Sequence, residues 1–209
     1  MSIADKLLLA LRDGVRRIGE IELESIDSND RFKLCNHADL PASREPGHGG
    51  LTGYHGPAEA RQLSLYAEDG TYRFLKGQRN LRRGWVMWVD GVADLRLALD
   101  SFYPASVGVW LAHREGRLEV EHLRPKLERQ TGMYRRAREL SDASAQALVP
   151  AVCGGAVPCA RRILWQLAPG VPVDSGVAVA EESTAIPLLC AAPCNHFIAE
   201  CREAAKAER

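Results

Sequence analysis

The chain has 209 residues, enough for one substantial core or two small ones, and its 46% hydrophobic and 26% charged content is ordinary for a globular protein. Lys+Arg and Asp+Glu balance at 27 each, so no net field recruits nucleic acid or an anionic membrane. No apolar run approaches the roughly 20 residues a membrane span needs. The first residues lack the basic region and cleavage site of a secretory signal, so a cytoplasmic protein is expected.

In chain order, residues 3–13 read as a short amphipathic helix that Gly14 can stop. Residues 18–26 alternate imperfectly, and residues 31–37 can return antiparallel after the Ser28-Asn29-Asp30 turn, which predicts a hairpin. Residues 38–57 carry five glycines and three prolines with little apolar content, and read as a long loop that is either functional or mobile. A short helix over 58–66 and a strand over 71–75 follow. Trp85-Val86-Met87-Trp88-Val89, β-branched and aromatic, is the clearest strand of the chain. Residues 92–102 turn helical, while the segment from Pro104 through Leu111 suits helix or strand equally.

Residues 120–140 are rich in Arg and Glu, with Pro125 suited to a first helical turn. Ser141-Asp142 then reads as the cap of a helix reaching about Val152. The composition changes near Ser141, which predicts two domains: a mixed α/β domain over 1–140 and a helical, cysteine-rich domain over 141–209. The fold class is α+β, a small and mainly antiparallel sheet with flanking helices followed by the helical domain.

Five of the six cysteines, Cys153, Cys159, Cys190, Cys194 and Cys201, fall in that last domain. Clustered cysteines in a reducing compartment are more often metal ligands or redox groups than disulfides. Cys159 and Cys194 each follow a proline and are expected to open a helix. There unpaired backbone N–H groups and the positive end of the dipole stabilise a thiolate. Cys153 and Cys190 lie just upstream of them, and Arg161 and Arg162 could offset the charge of four thiolates. On one continuous helix Cys194 and Cys201 stand about 10.5 Å apart, two turns along the same face and too far to share a compact site. The expected ligand set is therefore Cys153, Cys159, Cys190 and Cys194, with Cys201 packed nearby. Spacing leaves the metal open. Cys190-x3-Cys194 fits a zinc knuckle, the first pair is wide for one, and neither matches the bacterial ferredoxin run. Buried free cysteines are the bland alternative, which the matched Pro-Cys contexts argue against.

Several segments together resemble one family: Tyr72-Arg73-Phe74-Leu75-Lys76, Leu81 with Gly84-Trp85, Tyr103-Pro104-Ala105, Arg129-Gln130-Thr131-Gly132-Met133-Tyr134, Cys159-Ala160-Arg161-Arg162 with Trp165, and Cys190-x3-Cys194 before an apolar helix. In this order they resemble the C-terminal region of the sirohydrochlorin cobaltochelatase-like proteins of Deinococcus and haloarchaeal type. The resemblance runs over about residues 17–205 and implies a stabilising α+β domain followed by a [4Fe-4S] cluster domain. It carries the cluster role onto Cys153, Cys159, Cys190 and Cys194. Nothing here corresponds to the chelatase domains, so independent cobalt insertion is not expected. The expected function is that of an iron–sulfur accessory protein of cobalamin or siroheme biosynthesis, serving electron transfer, redox sensing or stabilisation of a partner chelatase. The alternatives are a zinc-stabilised four-cysteine interaction module, or an enzyme binding a tetrapyrrole through its glycine-rich loop.

Remaining candidates take bland readings. His48 and His55 are read as exposed loop histidines, Cys35 and His37 as core positions, and Lys76, Arg79, Arg82 and Arg83 as a solvated turn. His196 is either second to the cluster or an exposed helical residue. Trp85 and Trp88 fall on opposite strand faces, one for the core and one for a partly exposed surface. Arg129, Gln130 and Tyr134 are assigned no chemistry. No Ser–His–Asp order, Walker loop or dinucleotide fingerprint is present.

Overall fold

The computed structural model describes residues 1–26, 30–65, 81–154, 159–173 and 184–208. The predicted strand at 71–75, and Lys76 and Arg79 of the basic group, lie outside them. The chain divides into two compact units. One comprises Met1–Leu75, Asn80–Glu115 and Glu181–Leu188; the other comprises Lys76–Arg79, Gly116–Ala180 and Leu189–Arg209.

The first unit opens with α1 (Ile3–Arg12), whose start is a reciprocal cap. Ser2 Oγ accepts from Asp5 N at 3.1 Å, and the Asp5 carboxylate accepts from Ser2 N at 2.8 Å. Its apolar face, Leu7, Ala10 and Leu11, is buried. Among the described residues a six-stranded sheet follows, made of β1 (Arg17–Ile18), β2 (Ile21–Ser25), β3 (Arg31–Asn36), β4 (Thr52–His55), β5 (Trp85–Asp90) and β7 (Ala185–Ile186) in the order β4-β5-β3-β2-β1-β7. The β2–β3 hairpin forms as predicted, with Leu23 opposite Leu34. The pairs β1–β2, β2–β3 and β3–β5 are antiparallel, and the two outer pairs, β4–β5 and β1–β7, are parallel. Period-two alternation sends Ile21, Leu23, Phe32 and Leu34 inward. Glu24 and Lys33 pair across strands on the other face at 3.1 Å.

Helices α3 (Ala58–Leu65), α4 (Gly91–Phe102) and α5 (Ser106–Arg114) complete the unit. The stretch left open between helix and strand after Pro104 is thus helical. Trp85 stacks on Phe102 with ring centroids 5.1 Å apart, and its Nε1–H donates to Arg82 O at 2.6 Å. At Gly19, with φ +57°, an added Cβ would meet Leu188 Cδ1 at 2.7 Å and Tyr103 Cε2 at 2.9 Å. Only glycine admits that close approach, and the backbone angle favours it as well.

The expected long loop at 38–57 is instead ordered. It holds a short helix α2 (Leu40–Ser43), a left-handed turn through Gly47, His48 and Gly49, and β4. Thr52-Gly53-Tyr54-His55 has no apolar alternation to betray an edge strand. It pairs because Trp88 of β5 lies over Gly53, where a Cβ would stand 3.2 Å from the indole.

The second unit contains α6 (Leu123–Glu128), a run of tight turns over Gly132–Glu139, α7 (Asp142–Val149), a wide turn over Pro150–Gly154, the parallel pair β6 (Arg162–Ile163) and β8 (Leu189–Cys190), and α8 (Asn195–Ala207). Leu123, Leu127, Ala137 and Leu140 are buried in one core with Ala145, Val149, Trp165, Phe197 and Cys201. The Arg/Glu-rich segment before Ser141 therefore packs with the helices after it, and the units part at Glu115/Gly116. The charge of residues 120–140 is on its outer positions, which hid the buried leucines from a composition reading.

Ser141 caps α7 as expected, its Oγ accepting from Ser144 N at 3.1 Å. Ser141→Ala should lower stability by about 1 kcal/mol, read as a smaller urea midpoint with an unchanged slope.

Candidate metal centre

Cys194 is the N-cap of α8, and its Sγ accepts from Phe197 N at 3.5 Å. This Pro-Cys helix start forms as the sequence predicts. The other does not: after Cys159 the chain bends and enters β6 rather than a helix. The backbone donors that a helix would use are spent elsewhere. Leu164 N donates to Cys190 O at 3.0 Å, and Cys159 N donates to Cys153 O at 2.7 Å. Two further bonds fix the strand, from Leu123 N to Gln166 O at 2.7 Å and from Arg124 N to Leu167 O at 2.8 Å. No helix dipole therefore acts on Cys159. Cys153, just upstream, occupies the wide turn that extends α7.

Parallel pairing sets Cys190 opposite Ile163, which brings the second cysteine pair alongside the segment that follows the first. Burial pushes the Cys190 thiol up, Arg161 pulls it down, and the neighbouring Cys194 and Cys159 push it further up. Cys194, Cys159 and the Arg161 guanidinium thus each lie within electrostatic reach of the Cys190 sulfur. Cys190 Sγ also lies 3.1 Å from Ala192 O. Cys153 is tied to Cys159 through the backbone bond and packs against the core that contains Cys201.

Cys201 lies on α8 beyond Cys194, fully buried, with its thiol pushed up to about 12 by burial while Arg124 opposes the shift. A buried thiol of this kind is a core hydrophobe rather than a ready ligand. None of the six cysteines is in a disulfide. Among the described residues no three His, Cys, Asp or Glu side chains gather closely enough to hold one metal ion. The donor set nonetheless suits an iron–sulfur group. Thiolates are its usual ligands, a cation stands beside them, and backbone N–H reaches one of the sulfurs.

Two contacts were invisible in the sequence. Trp165 lies in the apolar cluster against which Cys190 packs, with its indole N–H favouring the Cys190 thiolate, and it meets Phe197 with ring centroids 5.2 Å apart at 56°. Phe197 supplies the N–H at Cys194. No spacing rule flags either, because both depend on the β6–β8 pairing.

The other candidates fall elsewhere. His196 faces Glu200 one helical turn on, at 3.8 Å. His48 and His55 both contact the Trp88 ring, with centroids at 4.9 and 5.0 Å, and His48 Nδ1 lies 3.1 Å from Ser43 O. Cys35 is buried on β3 with Ser43 Oγ 3.7 Å away, as a core position should be. His37 is exposed rather than in the core, and its Nδ1 lies 2.5 Å from Glu22 Oε1. Its strand ends at Asn36, whose side chain accepts from Ala38 N and turns the backbone. No helix among the described residues is long and apolar enough to cross a membrane.

An α+β unit together with a second unit carrying two cysteine pairs has the organisation of a protein with an iron–sulfur domain. Residues 115–203 match the 4Fe-4S iron-sulfur cluster binding domain, which supports an iron–sulfur cofactor. Residues 6–114, over half of the chain, match the DR2241 stabilising domain, and the chain belongs to that family. The two matches meet where the units part. Among solved structures the chain is similar to DR2241 of Deinococcus radiodurans, described as a multi-domain protein with structural similarity to chelatases and two additional novel domains. The likeness has a TM-score of 0.75 at 26% identity and covers 99% of this chain but 42% of that one. The chain therefore spans less than half the length of that relative. No curated protein matches.

Proposed function

We propose that the chain holds one [4Fe-4S] cluster through Cys153, Cys159, Cys190 and Cys194, and acts as an accessory to sirohydrochlorin metalation in cobalamin or siroheme synthesis. The observation that carries this reading is the match of residues 115–203 to a 4Fe-4S domain, a span that contains all four cysteines. The chelatase likeness of DR2241 supports the link to metalation. When bound, such a cluster supplies one-electron chemistry. Four cysteine ligands would leave no open iron, so electron transfer, redox sensing or stabilisation of a partner chelatase fits better than catalysis at the metal.

The chain's own part is to present thiolates and set their surroundings. The α8 cap orients Cys194 and gives it an N–H donor. Arg161 offsets negative charge near Cys190. Burial in the second unit limits access of water and oxygen to that sulfur.

Anaerobic purification tests the reading. The expected product is a brown protein with broad absorption in the visible blue, containing iron and inorganic sulfide in about a 1:1 ratio and about four of each per chain. A colourless protein with one zinc per chain would overturn it in favour of a zinc-stabilised module.

A further inference from the structure

We infer that Trp165 is a positioning residue of this centre: its indole N–H holds the Cys190 sulfur and raises the reduction potential of the cluster that sulfur would ligate. The inference rests on the [4Fe-4S] reading above and assigns a role outside the cysteine set. An indole nitrogen can only donate, and a buried one ordinarily finds an acceptor. Trp165 is 3% exposed and sits in the apolar cluster against which Cys190 packs, where its N–H pulls the Cys190 thiol down.

The placement of the indole beside Cys190 is built into the fold rather than left to a mobile side chain. Ile163 pairs with Cys190 across the β6–β8 ladder, and Leu164 N donates to Cys190 O at 3.0 Å, so the residue before Trp165 is anchored to the ligand itself. On the far side the Trp165 ring packs on Phe197, whose backbone N–H donates to Cys194. One aromatic pair therefore serves two sulfurs, each with an N–H donor. Arg161 adds positive charge close by, but its side chain is half-buried and long, whereas the indole is fixed.

Reduction adds an electron to a cluster already negative from its thiolates. An N–H directed at a ligand sulfur stabilises the reduced form more than the oxidised one, and does so more strongly in a site of low polarity. The donor at Cys190 thus shifts the couple upward.

Trp165→Phe keeps an aromatic ring against Phe197 and deletes the N–H. Wild type and variant, both purified anaerobically as the full chain, are compared by iron and sulfide content and by an EPR-monitored redox titration. The expected result is equal loading with a lower midpoint. At the wild-type midpoint the reduced-to-oxidised ratio should fall by up to about tenfold, which is about 59 mV for a one-electron couple. A fully loaded variant with an unchanged or higher midpoint overturns the inference and leaves the cluster reading standing. Wild-type protein without iron and sulfide overturns the cluster reading itself. Should Trp165→Phe lose its cluster, biosynthetic replacement of tryptophan by benzothienylalanine keeps the bicyclic shape without the N–H. The other tryptophans, Trp85, Trp88 and Trp110, belong to the first unit. The same downward shift is expected there, and an unshifted midpoint overturns the inference.

Discussion

Cys194→Ala should yield a chain without iron or sulfide, while Cys201→Ala keeps the full complement of both. The two residues sit on one continuous helix, so the contrast isolates position from chemistry. Cys194 stands at the exposed N-cap with its sulfur turned to the helix N–H groups, beside Cys190. Cys201 lies about 10.5 Å further along the axis, enclosed by the apolar core. Its truncation removes one small apolar group and no ligand. Losing the cap also leaves Phe197 N without its acceptor, so the Cys194 variant should be less stable by about 1 kcal/mol even with no cluster bound. Iron and sulfide analysis of both variants decides the matter. Loss of the cluster from Cys201→Ala with retention in Cys194→Ala would refute the ligand set.

Phe197→Ala is expected to be the most damaging single truncation in the second unit. The side chain is fully buried, packs on Trp165, and belongs to the core that α7 and α8 share. Removing a buried phenyl ring costs about 3–5 kcal/mol, a large share of the stability of an ordinary domain. Urea unfolding followed by far-UV circular dichroism should show a correspondingly earlier transition. His196→Ala, the neighbouring position with a long 3.8 Å contact to Glu200, should shift the midpoint by less than about 0.5 kcal/mol. A Phe197→Ala protein as stable as the His196→Ala one would contradict the packing described.

The legible parts of this fold were those that depend on local pattern. Trp85–Asp90 is β-branched and aromatic, Ser141 announces its helix, and Pro193-Cys194 opens α8; each signal spans a few residues. What could not be read depends on partners distant in sequence. Arg162–Ile163 follows a Pro-Cys step that resembles the one before α8, yet it becomes a strand because Leu189–Cys190 is there to pair with it. Thr52–His55 is an edge strand because of Trp88. The site was legible to the same degree. The four cysteines and Arg161 stood out by type and spacing, whereas the Trp165 donor exists only through the ladder that holds Cys190.

The strand β7 has a consequence for how the chain is made. Ile186 pairs with Ile18, and Leu188 fills the space over Gly19, so the sheet of the first unit lacks its outer strand until residues late in the sequence have been synthesised. A ribosome extends a chain by about 5–20 residues per second. The first part of the cysteine-bearing segment, with Cys153 and Cys159, thus emerges before the unit that precedes it can close, and Cys190, Cys194 and Cys201 follow. The nascent first unit waits with Ile18 at an open edge for several seconds, and its completion is timed by the passage of the segment that carries Cys153 and Cys159.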